Sequence, residues 1–108
     1  MLEPPTRVSL SRMIKPGSEI LYHPLVVKKD IPRLGLPISN QIRQAIETKL
    51  TLRPEVFGLP LRGSLKKYWK LRVGDYRVVY EIKNHQVRIL VIAHRKDVYE
   101  LAGDRNLD

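Results

Sequence analysis

The sequence contains no cysteine, and this absence excludes several kinds of site at once. Without thiols there is no disulfide framework, no cysteine nucleophile and no zinc site built on thiolates. His23, His85 and His94 lack the spacings of a metal site, so we expect neither a metal nor a cofactor. No apolar run approaches the ~20 residues of a membrane span, and the N-terminus lacks the apolar core of a signal peptide. We therefore expect a cytoplasmic protein with no membrane partner.

Acidic residues are scarce in one part of the chain. Residues 62–96 contain ten Lys or Arg but only two acids, Asp75 and Glu81, which gives this stretch a net charge of +8 out of +9 for the whole chain. The same stretch alternates apolar and polar residues, as β-strands do. Cations fixed on a sheet have well-defined positions and suit a polyanion, and nucleic acid is the usual one.

The 108 residues are enough for one domain, and 43% of them are hydrophobic. We interpret residues 1–18, which prolines punctuate, as a flexible extension and residues 19–108 as the domain. The pattern predicts a small α+β domain with an N-terminal strand, two helices and a three-strand antiparallel meander, forming a twisted sheet with helices on one face. The predicted segments are a strand at 19–22, helices at 23–31 and 37–52, a loop at 54–63, strands at 65–73, 76–82 and 87–94, and a segment at 95–101 that leaves the sheet.

Alternation within the strands predicts which side chains face the core. Trp69, Tyr76 and Tyr80 lie on inward positions. The run from Val87 to His94 is nearly all apolar, which is typical of a strand inside the sheet. The predicted outward positions on the first strand of the meander are Lys66, Tyr68, Lys70 and Arg72.

Three motifs occur in a characteristic order: K-L-R at 70–72, G-D-Y-R-V-V-Y at 74–80 and H-R-K-D-V-Y at 94–99. Together they resemble the RelE/ParE superfamily, the small toxins of toxin–antitoxin pairs. The resemblance extends over roughly residues 19–101 and implies one of two activities. RelE-like members cleave mRNA in the ribosomal A site, whereas ParE-like members poison DNA gyrase and do not cleave RNA.

Four residues match the catalytic positions that the resemblance to RelE implies. Lys70 and Arg77 keep the seven-residue spacing of the family, and the resemblance places them opposite each other on two strands. Arg95 corresponds to an arginine at the end of the last strand, and Tyr99 corresponds to the tyrosine that follows it.

The identity of the general base stays open at this point. The best-known relative has a further lysine two places before the first one, where this chain has Tyr68 with Lys67 beside it. Several relatives use a histidine near the end of the last strand, which makes His94 an alternative catalyst. Alternation directs His94 and Arg95 to opposite faces, so we predict that Lys70 is the group that transfers a proton.

These residue types suit RNA cleavage in which the 2′-hydroxyl is the nucleophile, because neither a metal nor a protein nucleophile is needed. An arginine fork bonds two phosphate oxygens at once. Neighbouring cations favour the neutral amine of Lys70, which suits it to act as base or acid, and Tyr99 can stack on a base. The other predicted RNA-binding residues are Arg62, Lys66, Lys67, Arg72 and Lys96.

The resemblance also implies the partners, which are a cognate antitoxin protein, the ribosome and mRNA. A gyrase inhibitor of the ParE type is the main alternative, and a nucleic-acid-binding module without catalysis is the third. Each residue has a structural alternative as well. Arg77 can pair with Asp75 or Glu81, Arg95 can simply mark the strand end, and Tyr99 can anchor the C-terminal segment.

Overall fold

The computed structural model describes residues 18–105. The extension predicted over residues 1–18 therefore lies outside the described residues, except for Ser18. The N–H of Ser18 donates to the carbonyl of Thr51 at 2.7 Å. Each helix within residues 18–105 is too short or too polar to span a bilayer.

A five-stranded mixed sheet forms the centre of the fold. Its strands are β1 Glu19–Tyr22, β2 Leu59–Pro60, β3 Trp69–Val73, β4 Tyr76–Lys83 and β5 Gln86–His94. The order across the sheet is β1-β5-β4-β3-β2, with β1 parallel to β5 and the other pairs antiparallel. The predicted α+β fold with its three-strand meander is confirmed. The short edge strand β2 was not predicted, because we interpreted residues 54–63 as a loop.

The first helical segment, α1, covers residues 24–34 and includes a π-helical turn over Val26–Asp30 and an α-helix over Ile31–Leu34. The N–H of Ile31 donates to the carbonyl of Val26, five residues earlier. This wider turn accommodates Pro32, which lacks an N–H, so α1 continues beyond its predicted end at residue 31. Gly35 ends it with a φ of +77°.

The second helical segment, α2, consists of an α-helix over Leu36–Ala45 and a π-helical turn over Ile46–Leu50. It agrees with the helix predicted over residues 37–52. Two shorter helices follow, α3 at Pro54–Phe57 and α4 at Val98–Asp104. The two predicted helices, α1 and α2, pack on the same face of the sheet, as predicted, whereas the short helix α4, in the segment that leaves the sheet, packs on the opposite face.

A hydrophobic core lies on each face of the sheet. Trp69, Tyr76 and Tyr80 face the first core, as predicted, whereas Tyr68 belongs to the second and is only 5% exposed. Tyr68 was predicted to point outward, and it does lie on the face opposite Trp69, as the alternation requires; however, the second core covers that face, so the side chain is buried. The first core contains Val26, Ile42, Ile46, Leu50, Leu71, Val73, Val78, Tyr80, Val87, Ile89 and Ile92. The second core contains Leu61, Tyr68, Val79, Leu90, Val91, Ala93, Val98 and Ala102.

A bulge in β5 changes the phase of that strand. Tyr80 pairs with Ile89 and Val79 pairs with Val91, so Leu90 is an extra residue between two successive pairs. As a result, Leu90 and Val91 both belong to the second core, and Ile92 returns to the first. Without the bulge, every residue after Leu90 would face the opposite side of the sheet.

Gly58 is a position where the chain passes very close to a buried side chain. A Cβ there would lie 1.8 Å from Tyr80 Oη and 3.0 Å from the Lys70 carbonyl oxygen. Tyr80 has no exposed surface, and its hydroxyl donates to the Pro54 carbonyl at 2.5 Å. Burial raises the pKa of this hydroxyl, so it remains a neutral donor. A side chain at position 58 must therefore displace a fixed hydrogen-bonded ring.

We expect Gly58→Ala to lower the free energy of unfolding by roughly 1–3 kcal/mol, the usual cost of overpacking. Urea denaturation followed by Trp69 fluorescence measures it, because Trp69 stacks on Tyr80 with ring centroids 6.4 Å apart. The control is Gly103→Ala in α4, where no atom lies within 4 Å of the new Cβ. That change should be neutral or stabilising by up to about 1 kcal/mol. An equal loss of unfolding free energy in both variants would show that the contact between position 58 and Tyr80 is not the cause.

Candidate active site

The basic residues of β3 and β4 lie on the sheet face that carries the second core. Arg72 is directly opposite Arg77, whereas Lys70 is opposite Val79 in the next row. Lys70 is therefore a diagonal neighbour of Arg77, and the expectation that the two lie opposite each other was wrong. The reason is the two-residue turn between β3 and β4, which fixes the register of the hairpin.

Helix α4 brings Tyr99 against Lys70. The Lys70 Nζ donates to Tyr99 Oη at 3.0 Å and lies 5.6 Å from the centroid of the Tyr99 ring. Val98 and Ala102 face the second core, which leaves Tyr99 42% exposed on the outer side of the helix. A hydrogen-bonded amine and phenol at the surface form a pair that can give a proton to a substrate or take one from it.

Arg77 is fixed by the turn between β3 and β4. Its Nη1 donates to the Gly74 carbonyl at 2.9 Å and to the Tyr76 carbonyl at 2.8 Å, and the residue is 7% exposed. Arg72, directly opposite, is exposed. The site thus pairs a rigid, largely covered guanidinium with a more accessible one.

The two acids of the basic stretch contact other arginines. Asp75 Oδ1 lies 3.8 Å from Arg95 Nε, and Glu81 Oε1 lies 3.7 Å from Arg88 Nη1. The alternative in which Arg77 forms an ion pair with Asp75 or Glu81 is therefore wrong. Its guanidinium donates to two backbone carbonyl groups instead. The Asp75–Arg95 contact is mostly exposed, so it contributes little and is easily exchanged.

His94 lies on the other face of the sheet. It pairs with Tyr76 in the strand register, and the two rings meet edge to face with centroids 5.5 Å apart. The His94 Nδ1 accepts the N–H of Lys96 at 3.1 Å. The bulge at Leu90 produces this orientation, since regular alternation from Ile89 would have turned His94 toward Lys70. His94 therefore lies away from the basic face, as predicted. The catalytic role predicted for Lys70 stays a prediction.

Comparisons with known proteins identify the family. Residues 20–99 match the family described as the ParE toxin of the type II toxin–antitoxin system parDE. Toxin RelE from Mycobacterium tuberculosis (strain ATCC 25618 / H37Rv) is 36% identical over 75 residues, which are 68% of this chain and 77% of that relative. The chain belongs to the RelE/ParE toxin superfamily. The resemblance seen in the sequence motifs is confirmed.

Solved structures of toxin–antitoxin complexes have a similar fold. The toxin–antitoxin complex RelBE2 from Mycobacterium tuberculosis matches with a TM-score of 0.68 and 26% identity, covering 73% of this chain and 99% of that one. The archaeal RelE–RelB complex from Pyrococcus horikoshii OT3 matches with a TM-score of 0.52 and 26% identity, covering 73% and 96%. The protein is thus a toxin of a type II toxin–antitoxin system in the RelE family.

The remaining predicted RNA-binding residues surround the basic face of the toxin. Arg62, Lys66 and Lys67 lie exposed on the segment between β2 and β3, and Lys96 lies exposed in the turn before α4. The Lys67 Nζ sits 5.2 Å from the centroid of the Tyr68 ring. Within residues 18–105, no group of His, Asp and Glu side chains is arranged to hold a metal ion.

Sequence reasoning missed a buried ion pair. Arg105, just after α4, bonds both carboxylate oxygens of Asp30 at 2.9 and 3.0 Å, and the two side chains are 6% and 1% exposed. One signal was present, because Asp30 follows Val26 by four residues and so shares the inner face of α1. The partner lies 75 residues away, and no local pattern connects the two.

Proposed function

We propose that this toxin is a ribosome-dependent endoribonuclease that cleaves mRNA in the ribosomal A site. The observation that supports it most is the 3.0 Å contact between Lys70 Nζ and Tyr99 Oη, on the sheet face that also carries Arg72 and Arg77. A proton-transfer pair beside cationic side chains suits phosphodiester cleavage in which the 2′-hydroxyl is the nucleophile. The relative named Toxin RelE also favours this branch of the superfamily.

The reaction we propose forms an O2′–P bond and breaks the P–O5′ bond of the same phosphate. Its products are a 2′,3′-cyclic phosphate and a free 5′-hydroxyl. Lys70 transfers a proton in this step, either from the attacking 2′-hydroxyl or to the leaving oxygen. Since Lys70 donates to the oxygen of Tyr99, the phenol O–H points away from the amine, and the exposed ring offers a stacking surface for a base.

The arginines stabilise the extra charge of the phosphorane. Arg77 is already held by two carbonyl groups, so it needs little reorganisation when the charge develops. Arg72, opposite it, is exposed and can contact the phosphate directly. At the end of β5, a phosphate can replace Asp75 as the partner of Arg95, because the present contact is long and exposed.

Mapping of mRNA 5′ ends after induced expression tests this proposal. Cuts in register with codons, which disappear when translation is blocked, support a ribosome-dependent nuclease. The match of residues 20–99 to the ParE toxin family favours one alternative, an inhibitor of DNA gyrase without cleavage. Intact mRNA together with damaged DNA would establish that alternative and reject the nuclease.

The basic surface should give ribosome binding a strong salt dependence. We expect Lys66→Gln/Lys67→Gln to reduce the slope of log affinity against log salt by about 1–2. Lys28→Gln/Lys29→Gln is a matched control, because it also removes two adjacent exposed lysines, but from α1 on the other side of the sheet. Sedimentation binding with ribosomes at several salt concentrations measures both slopes. Equal slopes for the two double variants would show that the segment before β3 does not contact the ribosome.

We also propose a small antitoxin as the natural inhibitor of this toxin. The two similar solved structures are complexes of a toxin with its antitoxin, which supports such a partner. An acidic segment, disordered when free, would cover the basic face on binding. We expect calorimetry with the product of the adjacent reading frame to give a dissociation constant below about 1 μM. Weaker or undetectable binding would count against that frame as the antitoxin.

A further inference from the structure

Strand β5 has a neighbour along only part of its outer edge. β1 pairs with it as far as Tyr22 and Ile89, and the N–H of His23 then donates to the Ile89 carbonyl at 2.8 Å. Beyond this point the edge groups of β5 are the carbonyl of Leu90, which is the bulge residue, and the N–H of Ile92. Buried backbone groups of this kind require partners.

Asp30 and Arg105 supply those partners in place of a strand. The Asp30 carboxylate accepts the Ile92 N–H at 2.9 Å, and Arg105 Nη1 donates to the Leu90 carbonyl at 2.8 Å. The two side chains also bond each other through both oxygens of the carboxylate. These buried, charge-assisted bonds connect Asp30 in α1, the bulge of β5 and Arg105, which follows α4.

Helix α4 is short and has few large packed side chains of its own. It has seven residues, fewer than a helix needs to be stable by itself. Its fully packed residues, Val98 and Ala102, are small, so they offer little area to fix its position. Tyr99 lies in its first turn against Lys70, and Arg105 follows its last turn. A shift of the C-terminal end of this short helix therefore moves Tyr99 as well.

We propose that Asp30 and Arg105 are positioning residues of the toxin. They hold the bulge and α4 so that Tyr99 stays against Lys70 and His94 stays on the opposite face. Both side chains are buried, so in this proposal they act through the residues that they hold. The effect on cleavage rests on the proposed function, whereas the placement of Tyr99 is a property of the folded chain alone.

The test compares Arg105→Gln with Asp30→Asn/Arg105→Gln in the full-length toxin. The single variant leaves a buried carboxylate unpaired, and the double variant removes that charge. If the single variant does not fold, the double variant decides. Arg43→Gln on α2 is the control, because it removes the same charge from an exposed residue beyond the first core. The measurements are amide hydrogen exchange, nuclear Overhauser contacts between Tyr99 and Lys70, and single-turnover cleavage on programmed ribosomes.

For the double variant we expect amides of α4 to exchange about tenfold faster or more, while amides of β4 change less than about twofold. The Tyr99–Lys70 contacts should weaken, and cleavage should slow by about tenfold or more at unchanged ribosome affinity. The control should match the wild type. An unchanged Tyr99 contact would overturn the proposal, and so would equal acceleration of exchange in α4 and β4, which indicates a purely structural role.

The two proposals fail in different ways. If the wild-type toxin does not cleave mRNA, the proposed function is rejected, while the exchange and Tyr99 measurements still decide the positioning role. If the wild type cleaves and the double variant cleaves equally fast, the positioning role is rejected and the nuclease stands.

Discussion

Lys70→Ala should slow single-turnover cleavage of mRNA on programmed ribosomes by about a hundredfold or more, whereas His94→Ala should change the rate by less than about threefold. The Lys70 amine is hydrogen-bonded to Tyr99 at 3.0 Å on the basic face. Removing it eliminates the proton-transfer group and also releases Tyr99. His94 lies on the opposite face against Tyr76, so its removal leaves the basic face unchanged.

Lys83→Ala is the control for this comparison, because it removes an exposed cation at the far end of β4 and should leave the rate unchanged. Thermal unfolding of every variant separates loss of chemistry from loss of the fold. A larger rate loss in His94→Ala than in Lys70→Ala would identify the histidine as the catalyst. That result would also require His94 to reach the basic face, which means that the bulge at Leu90 shifts when the toxin is bound to the ribosome.

Much of the fold follows from periodicity in the sequence. The apolar spacing from Ile38 to Leu50 predicts α2, and the structure has a helical segment there. The Gly74–Asp75 turn and the alternation on either side of it predict the β3–β4 hairpin. The inward positions of Trp69 and Tyr80 follow from the same alternation and are confirmed. In each case the signal is local, which is why a single sequence is sufficient.

The bulge and the edge strand leave no such signal. Residues 89–92 read Ile-Leu-Val-Ile, and a continuous apolar run contains no polar residue to mark a change of phase. β2 has only two residues, one of them Pro60, and proline argues against a strand unless it lies at an edge. Alternation places Tyr68 on the face opposite Trp69, but it does not show that a second core, which includes Val98 and Ala102 of α4, buries that face.

The candidate site was predicted in a different way from the fold. The charge of residues 62–96, together with their alternation of apolar and polar residues, predicted a basic surface on the sheet. The assignment of Lys70 and Tyr99 came from the family resemblance, and the structure brings these residues together although 29 positions separate them. The opposition of Arg72 and Arg77 follows from the hairpin register. Neither the charge pattern nor the family resemblance predicted the Asp30–Arg105 pair. The pair depends on how distant elements pack at the free edge of β5.

Arg77→Ala and Arg95→Ala should each lower the cleavage rate by about a hundredfold, which corresponds to about 3 kcal/mol of lost transition-state stabilisation. The two variants should differ in stability. Arg95 is exposed and makes one long ion-pair contact, so its replacement should change the free energy of unfolding by less than about 0.5 kcal/mol. Arg77 bonds two carbonyl groups of the β3–β4 turn, so its replacement should cost roughly 1–3 kcal/mol while leaving the protein folded.

The pattern of the two losses separates a catalytic arginine from a structural one. If Arg77 acts only on the turn, its variant loses stability but cleaves at the wild-type rate wherever it is folded. If Arg77 stabilises the phosphorane, cleavage falls even under conditions in which urea titration shows the variant fully folded. Arg43→Ala on α2, with the same loss of charge away from the basic face, should alter neither rate nor stability appreciably. Growth arrest at wild-type strength by a folded Arg77→Ala protein would reject the phosphate-binding role of this residue.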